Sequence, residues 1–149
     1  MNKYALFAFN GNAMCFVHVL LNALDLKARG AEAVAIVIEG EAVKLVHELE
    51  TSKNPLYMKA KEQGLMDCIC KACSAKMGVL EFNESTGIPV TGDMSGHPSM
   101  GDYLEKGNQI ITFKRSAVEI EGFQVAIILI FIFIIIRGKA ENLYANDQT

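Results

Sequence analysis

Short apolar runs separated by polar turns occupy the first 113 residues of the chain. Five of these runs are short enough, and closely enough bounded by polar residues, to predict buried strands. The predicted strands are residues 4–9, 33–38, 65–70, 88–90 and 109–113.

Between the predicted strands, apolar positions recur at helical spacing. In the first such segment they begin at Ala13, after an Asn12 that can cap a helix, and end before Gly30. A connection that contains a helix is long enough to join two parallel strands. The pattern therefore predicts one three-layer α/β domain with a mostly parallel sheet of about five strands. The predicted helices are residues 13–29, 42–50, 56–63, 72–82 and 100–105.

The C-terminal extension, residues 114–149, has a different pattern. A charged stretch leads into an unbroken apolar run, residues 125–136, and the chain ends in polar sequence without periodicity. A membrane-spanning helix needs about 20 apolar residues, so a membrane anchor is the least favoured interpretation. An added strand or oligomer contact and an aggregation-prone segment are the others, and the role of the extension is left open.

Composition narrows the class of protein. A chain of 149 residues that is 51% hydrophobic can bury the core of a single domain. A net charge of −3, without a cluster of lysine and arginine, argues against nucleic acid as a partner. The first apolar run lacks the pattern of a secretory signal. We therefore predict a cytoplasmic protein without a membrane partner. Because the cytoplasm is reducing, the four cysteines indicate catalysis, metal binding or redox chemistry rather than disulfides.

Three of the cysteines, Cys68, Cys70 and Cys73, lie at the end of the third predicted strand and the start of the next helix. The positive end of a helix dipole stabilises a thiolate, and Lys71 and Lys76 add positive charge nearby. The sequence thus predicts a reactive thiolate here. Reactive groups in parallel α/β sheets gather at the carboxyl ends of the strands, so the position favours function.

Two other segments are expected to border this site. Asn10 and Gly11 follow the first strand and should lie at the same edge of the sheet. His97 lies in a glycine-rich loop, residues 91–101, and could act as a general acid or base or orient a thiolate at Cys70. The glycines of the loop match neither a Walker motif nor G-x-G-x-x-G, so no nucleotide is predicted, and we predict no cofactor.

The cysteines admit three kinds of function. In sulfur transfer, Cys70 would take sulfane sulfur as a persulfide, and Cys73, about one helical turn away, could resolve it. Because Cys70 and Cys73 form a C-x-x-C motif after a strand, a thioredoxin-like dithiol is the nearby alternative. In a non-enzymatic binding or assembly module, the cysteines would be buried hydrophobic residues.

Metal binding by Cys68, Cys70 and Cys73 is the remaining alternative. A structural zinc site commonly has four ligands in two pairs, and the sequence has no second pair of cysteines. His97 or Cys15 would have to complete the set. We predict no metal.

Residues 1–113 resemble the DsrE/DsrF-like sulfur-relay family. The resemblance lies in the strand that leads to Asn10-Gly11, the helix that ends at Gly30 and, above all, the segment from Cys70 to Gly78. Members have a cysteine after a central strand, then a short helix with a basic residue and a glycine, which Cys70, Lys76 and Gly78 match. Cys68 and Cys73 are additional to a single-cysteine carrier, which keeps redox or metal use open.

The resemblance implies a flavodoxin-like α/β fold, assembly as a homotrimer or homohexamer, and persulfide carriage on Cys70. We therefore predict a sulfur carrier or sulfurtransferase that works between sulfur-donor and sulfur-acceptor proteins. Asn10, Gly11 and Lys76 are the predicted substrate-binding residues, and Cys70, Cys73 and His97 the predicted catalytic ones.

Overall fold

A computed structural model describes residues 2–114 of the chain as a five-stranded, all-parallel sheet flanked by helices. The strands lie in the order β4-β3-β2-β1-β5. The predicted α/β class and parallel sheet are therefore confirmed, although the fourth strand is one residue shorter than predicted and begins two residues later. The strands are β1 Lys3–Ala8, β2 Ala33–Ile38, β3 Met66–Cys70, β4 Val90–Thr91 and β5 Asn108–Phe113.

Helices connect every pair of consecutive strands. The start of the first helix is capped as predicted, since the Asn12 side chain accepts the N–H groups of Met14 and Cys15. The predicted helix 42–50 instead begins as a 3₁₀ helix. The predicted helix 72–82 is two helices, because Gly78 adopts a φ of +70°, which ends the helical conformation between them. The helices are α1 Ala13–Ala28, the 3₁₀ helix Gly40–Lys44, α2 Leu45–Thr51, α3 Pro55–Glu62, α4 Lys71–Lys76, α5 Leu80–Ser85 and α6 Met100–Glu105.

The sheet separates two hydrophobic clusters. Leu6 and Ala8 of β1 pack into the larger cluster, which contains residues from α1 to α5. Ala5 and Phe7 pack into the smaller one, with Tyr103 of α6. Right-handed connections explain this division: β1 to β4 advance in one direction across the sheet, and the return to β5 runs the other way, which puts α6 on the opposite face. The fold thus has three layers and is flavodoxin-like, although flavodoxin itself has the strand order 2-1-3-4-5.

The turn from β3 into α4 separates two of the predicted site cysteines. Ile36 of β2 pairs with Met66, but Val37 pairs with Cys68, so Asp67 is an extra residue. This bulge turns Cys68 into the smaller cluster, with its Sγ 3.5 Å from the Tyr103 hydroxyl oxygen, whereas Cys70 leaves the strand as the N-cap of α4. Cys70 packs in the larger cluster. The alternative in which Cys68, Cys70 and Cys73 form one redox or metal site is therefore wrong.

The described residues belong to one compact unit. The apolar run 125–136, with the rest of the C-terminal extension from residue 115, lies outside the described residues. Within residues 2–114, no helix has the length and apolar character needed to cross a membrane.

A buried chain of hydrogen bonds ties the end of β3 to the helices that follow it. The Asn83 Nδ2 group donates to the Val43 carbonyl (3.2 Å) and to Ser74 Oγ (2.9 Å). Ser74 Oγ donates in turn to the carbonyl of Cys70 (2.8 Å). Both side chains are fully buried. This network therefore fixes α4 and α5 against the 3₁₀ helix.

Replacing Asn83 by alanine should destabilise the domain. The Val43 carbonyl would lose its side-chain donor in the interior, which typically costs about 1–3 kcal/mol of unfolding free energy. Urea denaturation measures the loss. Asn22→Ala is the matched control because its side chain bonds to the His18 carbonyl at an exposed position, where changes stay within about 0.5 kcal/mol. Equal effects of the two substitutions would contradict the structural role of Asn83.

Candidate functional site

Four side chains meet at the carboxyl edge of the sheet. Glu39 follows β2, Cys70 and Cys73 lie at the junction of β3 and α4, and His97 lies in the loop before α6. One potential ligand atom from each of these residues lies within 4.8 Å of all the others. We call Glu39, Cys70, Cys73 and His97 the Cys–His–Glu cluster.

Cys70 is the innermost thiol of the cluster. It is the last residue of β3 and the N-cap of α4, where its Sγ accepts the N–H of Cys73 at 3.4 Å. Its Sγ also lies 3.2 Å from His97 Nδ1 and 3.6 Å from the Gly96 carbonyl oxygen, to which the thiol can donate. The residue has no exposed surface.

The environment of Cys70 opposes the predicted thiolate character. Burial raises the pKa of the Cys70 thiol to about 12; the Cys73 N–H opposes this rise, and the Cys73 thiol and Glu39 carboxylate add to it. The helix α4 has only six residues, and both Lys71 and Lys76 are exposed. For the pKa of the Cys70 thiol, the rise caused by burial is therefore larger than the lowering expected from the helix N-terminus and the two lysines.

Cys73 is the accessible thiol of the pair. It is half-buried, and its Sγ accepts the N–H of Gly40 at 3.2 Å. The same sulfur lies 3.7 Å from His97 Nδ1. One imidazole nitrogen therefore faces both sulfur atoms, one at the surface of the cluster and one beneath it.

The loop that carries His97 is held tightly against α4. The Gly96 carbonyl accepts the Ala72 N–H at 2.8 Å, and Met94 and His97 exchange two backbone hydrogen bonds of 2.9 Å. Gly96 has a φ of +91°, and a Cβ there would lie 2.9 Å from the Ala72 Cβ. Only glycine satisfies both constraints. The glycines of this loop thus serve close packing, which places His97 over the two sulfur atoms.

Glu39 belongs to the cluster although the sequence analysis did not select it. Its side chain is 8% exposed, and its Oε2 lies 3.6 Å from His97 Nδ1. Burial raises the pKa of the Glu39 carboxyl, and His97 opposes this rise. One signal could have identified it: Glu39 is the first residue after β2, the strand next to β3, at the edge where the cysteines lie.

The predicted substrate-binding residues make other contacts than those to the two sulfur atoms. Asn10 holds its own loop, since its Oδ1 accepts the Asn12 N–H (2.9 Å) and its Nδ2 lies 3.6 Å from Cys15 Sγ. Gly11 packs against Glu41, because a Cβ at Gly11 would lie 2.9 Å from the Glu41 Cβ. Lys76 is exposed in the last turn of α4, at the far end of this helix from Cys70.

The cluster can support two kinds of chemistry. An accessible thiol beside an imidazole can lose its proton to the ring and attack sulfur. Two thiols, an imidazole and a carboxylate are also the ligand types of a zinc ion.

Comparison with known proteins identifies one relative by sequence and one by fold. No protein-family model matches the chain. Over 103 residues it is 36% identical to the uncharacterized protein MJ0733 of Methanocaldococcus jannaschii, covering 67% of this chain and 81% of MJ0733. The chain belongs to the MJ0733 family. Because MJ0733 is uncharacterized, the function of this family member has to be inferred from its site.

A solved structure is similar to the MJ0733-family fold. It is a conserved protein of unknown function, BT1422 from Bacteroides thetaiotaomicron, with a TM-score of 0.61 and 24% sequence identity. The match covers 74% of this chain and 94% of BT1422. At this identity the likeness shows the fold alone.

The burial of the cysteines predicts their order of alkylation. With a chelator present and the protein folded, iodoacetamide should modify Cys73 and Cys15, which are partly exposed, well before Cys70 and Cys68, which are buried. Peptide mass spectrometry over a time course measures the four rates separately. Alkylation of Cys70 as fast as Cys73 would contradict the layered arrangement of the pair.

Proposed function

We propose that this protein is a sulfur carrier, or sulfurtransferase, that holds sulfane sulfur on the pair Cys70 and Cys73. The observation that carries the proposal is the shared imidazole: His97 Nδ1 lies 3.2 Å from the buried Cys70 Sγ and 3.7 Å from the accessible Cys73 Sγ. The resemblance of segment 70–78 to the DsrE/DsrF-like sulfur-relay family supports the same chemistry.

The first step is uptake at Cys73. His97 Nδ1 accepts the thiol proton, and the resulting thiolate attacks the terminal sulfur of a donor persulfide. The donor's sulfur–sulfur bond breaks, a new one forms on Cys73, and the donor leaves as a thiolate that takes up the proton from His97 Nδ1, so the imidazole is neutral again. No oxidant or reductant is consumed. The partial exposure of Cys73 allows a donor to reach it.

The second step moves the sulfur to Cys70. Cys70 gives its proton to the same imidazole nitrogen and attacks the outer sulfur of the Cys73 persulfide. The bond between this sulfur and Cys73 breaks, Cys73 becomes a thiol again, and Cys70 holds the persulfide. Since Cys70 is fully buried, a persulfide there is sheltered from other thiols until an acceptor takes the sulfur.

The wider setting is part of the same proposal. Sulfur-donor and sulfur-acceptor proteins are the expected partners, because carriage requires one of each. We place the protein in the cytoplasm, where a reducing environment keeps thiols free. Asn10 and Gly11, at the same edge of the sheet, border the surface that a donor would approach.

Exposure to inorganic polysulfide should add the mass of one sulfur atom to each chain. Intact-mass spectrometry of the full-length protein, reduced beforehand and kept in EDTA, measures this gain. Cys73→Ser should slow uptake strongly. Cys70→Ser should still take up sulfur but lose it faster to cyanide, because the adduct stays on the accessible thiol.

Cys15→Ser is the matched control, since Cys15 is also partly exposed but contacts Asn10 instead of the cluster. It should behave like the unmodified sequence. A folded protein that gains no sulfur, or that only forms a disulfide between Cys70 and Cys73, would overturn sulfur carriage and favour a binding module or a redox dithiol.

The resemblance also supports a homo-oligomer. Light scattering coupled to gel filtration of the full-length protein should give the mass of a homotrimer or homohexamer of the 16.3 kDa chain. A monomer that persists at high protein concentration would contradict this assembly and leave the site proposal unaffected.

A further inference from the structure

Glu39 contributes a buried carboxylate that sulfur transfer does not use. The side chain is 8% exposed, and its Oε2 lies 3.6 Å from His97 Nδ1, longer than an ordinary hydrogen bond. The His97 imidazole is the side chain that faces this carboxylate. Burying a carboxylate in this way is unfavourable unless a positive charge compensates it. A cation bound in the cluster would supply such a charge at the carboxylate.

The donor atoms have separations close to those of a metal site. His97 Nδ1 lies 3.2 Å from Cys70 Sγ, 3.7 Å from Cys73 Sγ and 3.6 Å from Glu39 Oε2. In a tetrahedral zinc site, bonds of about 2.0–2.3 Å place neighbouring donor atoms roughly 3.3–3.8 Å apart. All four donors lie within 4.8 Å of one another, so shifts of side chains alone could complete the tetrahedron.

We propose that Glu39, Cys70, Cys73 and His97 bind one zinc ion. On binding, the two thiols release two protons to solvent, and four bonds to zinc form from two sulfurs, one nitrogen and one carboxylate oxygen. Two thiolates and one carboxylate supply three negative charges against the two positive charges of the ion. The net charge of the cluster stays at −1, and the buried carboxylate gains a direct bond to a cation.

The ligand types select zinc over the common hard cations. Calcium and magnesium take oxygen ligands, and the cluster offers sulfur and nitrogen from three of its four residues. Thiolate and imidazole suit zinc. Four protein ligands also make a closed site, which is typical of structural or regulatory zinc and leaves no position for a catalytic water.

Backbone groups hold the ligands in place around the site. The N–H groups of Gly40 and Cys73 donate to Cys73 Sγ and Cys70 Sγ, at 3.2 Å and 3.4 Å. The hydrogen bond from Ala72 to the Gly96 carbonyl fixes the loop that carries His97. Such outer contacts orient metal ligands and strengthen metal binding.

Zinc and sulfur would compete for the same thiols. A thiolate bound to zinc cannot attack a persulfide, so zinc would block the uptake of sulfur at Cys73. The zinc inference does not rest on sulfur carriage, since it depends only on the positions and types of the four donors. Each can be tested in the absence of the other.

Titration of the reduced, full-length protein with Co²⁺ tests the site directly. We expect the intense visible absorption of tetrahedral cobalt bound to thiolates, saturating at about one ion per chain, and its loss when Zn²⁺ displaces cobalt. Zinc should also protect Cys70 and Cys73 of the unmodified sequence from iodoacetamide and leave Cys15 reactive. Failure to observe the absorption or the protection would overturn the proposal without requiring any variant.

Variants then test the ligand set. Glu39→Gln and His97→Asn should each weaken Zn²⁺ binding at least about tenfold, the lower bound for loss of even an outer contact. Glu41→Gln is the matched control for Glu39, because Glu41 is exposed two residues away. Unchanged affinity in both Glu39→Gln and His97→Asn would reduce the site to a dithiol and overturn the four-ligand proposal.

One comparison separates the two proposals. With zinc bound, polysulfide should add no sulfur to Cys70 or Cys73, and EDTA should restore uptake if sulfur carriage is correct. Zinc binding without uptake in EDTA would overturn sulfur carriage alone. Uptake in EDTA without zinc binding would overturn the zinc site alone.

Discussion

The arrangement of the site depends on one backbone hydrogen bond, from the Ala72 N–H to the Gly96 carbonyl. The amide is one of those that the start of α4 leaves without a partner in the helix, and the carbonyl belongs to the loop that carries His97. The bond therefore satisfies the end of a helix and fixes an imidazole over two thiols. A side chain at Gly96 would meet Ala72 and separate the two segments.

Within this frame, burial governs the chemistry of the thiols. The pair lies at the start of a helix, where a dipole favours negative charge, but the inner sulfur is removed from water and its pKa is raised to about 12. One imidazole nitrogen, His97 Nδ1, faces both sulfur atoms. The buried Glu39 carboxylate adds negative potential to a site that already holds two potential thiolates, which makes the cluster favourable for a cation.

Much of the fold could be predicted from periodicity. Local patterns predict the strand positions, the parallel connection and the capped first helix. Segments that follow the strands of a parallel sheet lie at one edge, and this rule was enough to select Cys70, Cys73 and His97. The bulge at Asp67 could not be predicted, because it is a property of pairing with β2. Glu39 lacked a local signal beyond its place after a strand. The burial of Cys70 depends on packing from distant segments, so local charge was a misleading guide to its pKa.

The return of β5 to the edge of β1 has a consequence for the order of folding. The pairs from β1 to β4 join segments that are consecutive in the chain, whereas the pairing of Lys3 with Asn108 joins the two ends of the described domain. Pairings between distant segments generally form slowly. We therefore expect the His97 loop and α6, which lie just before β5, to be the last parts secured. A chain emerging during synthesis would present the two thiols before it could shield them.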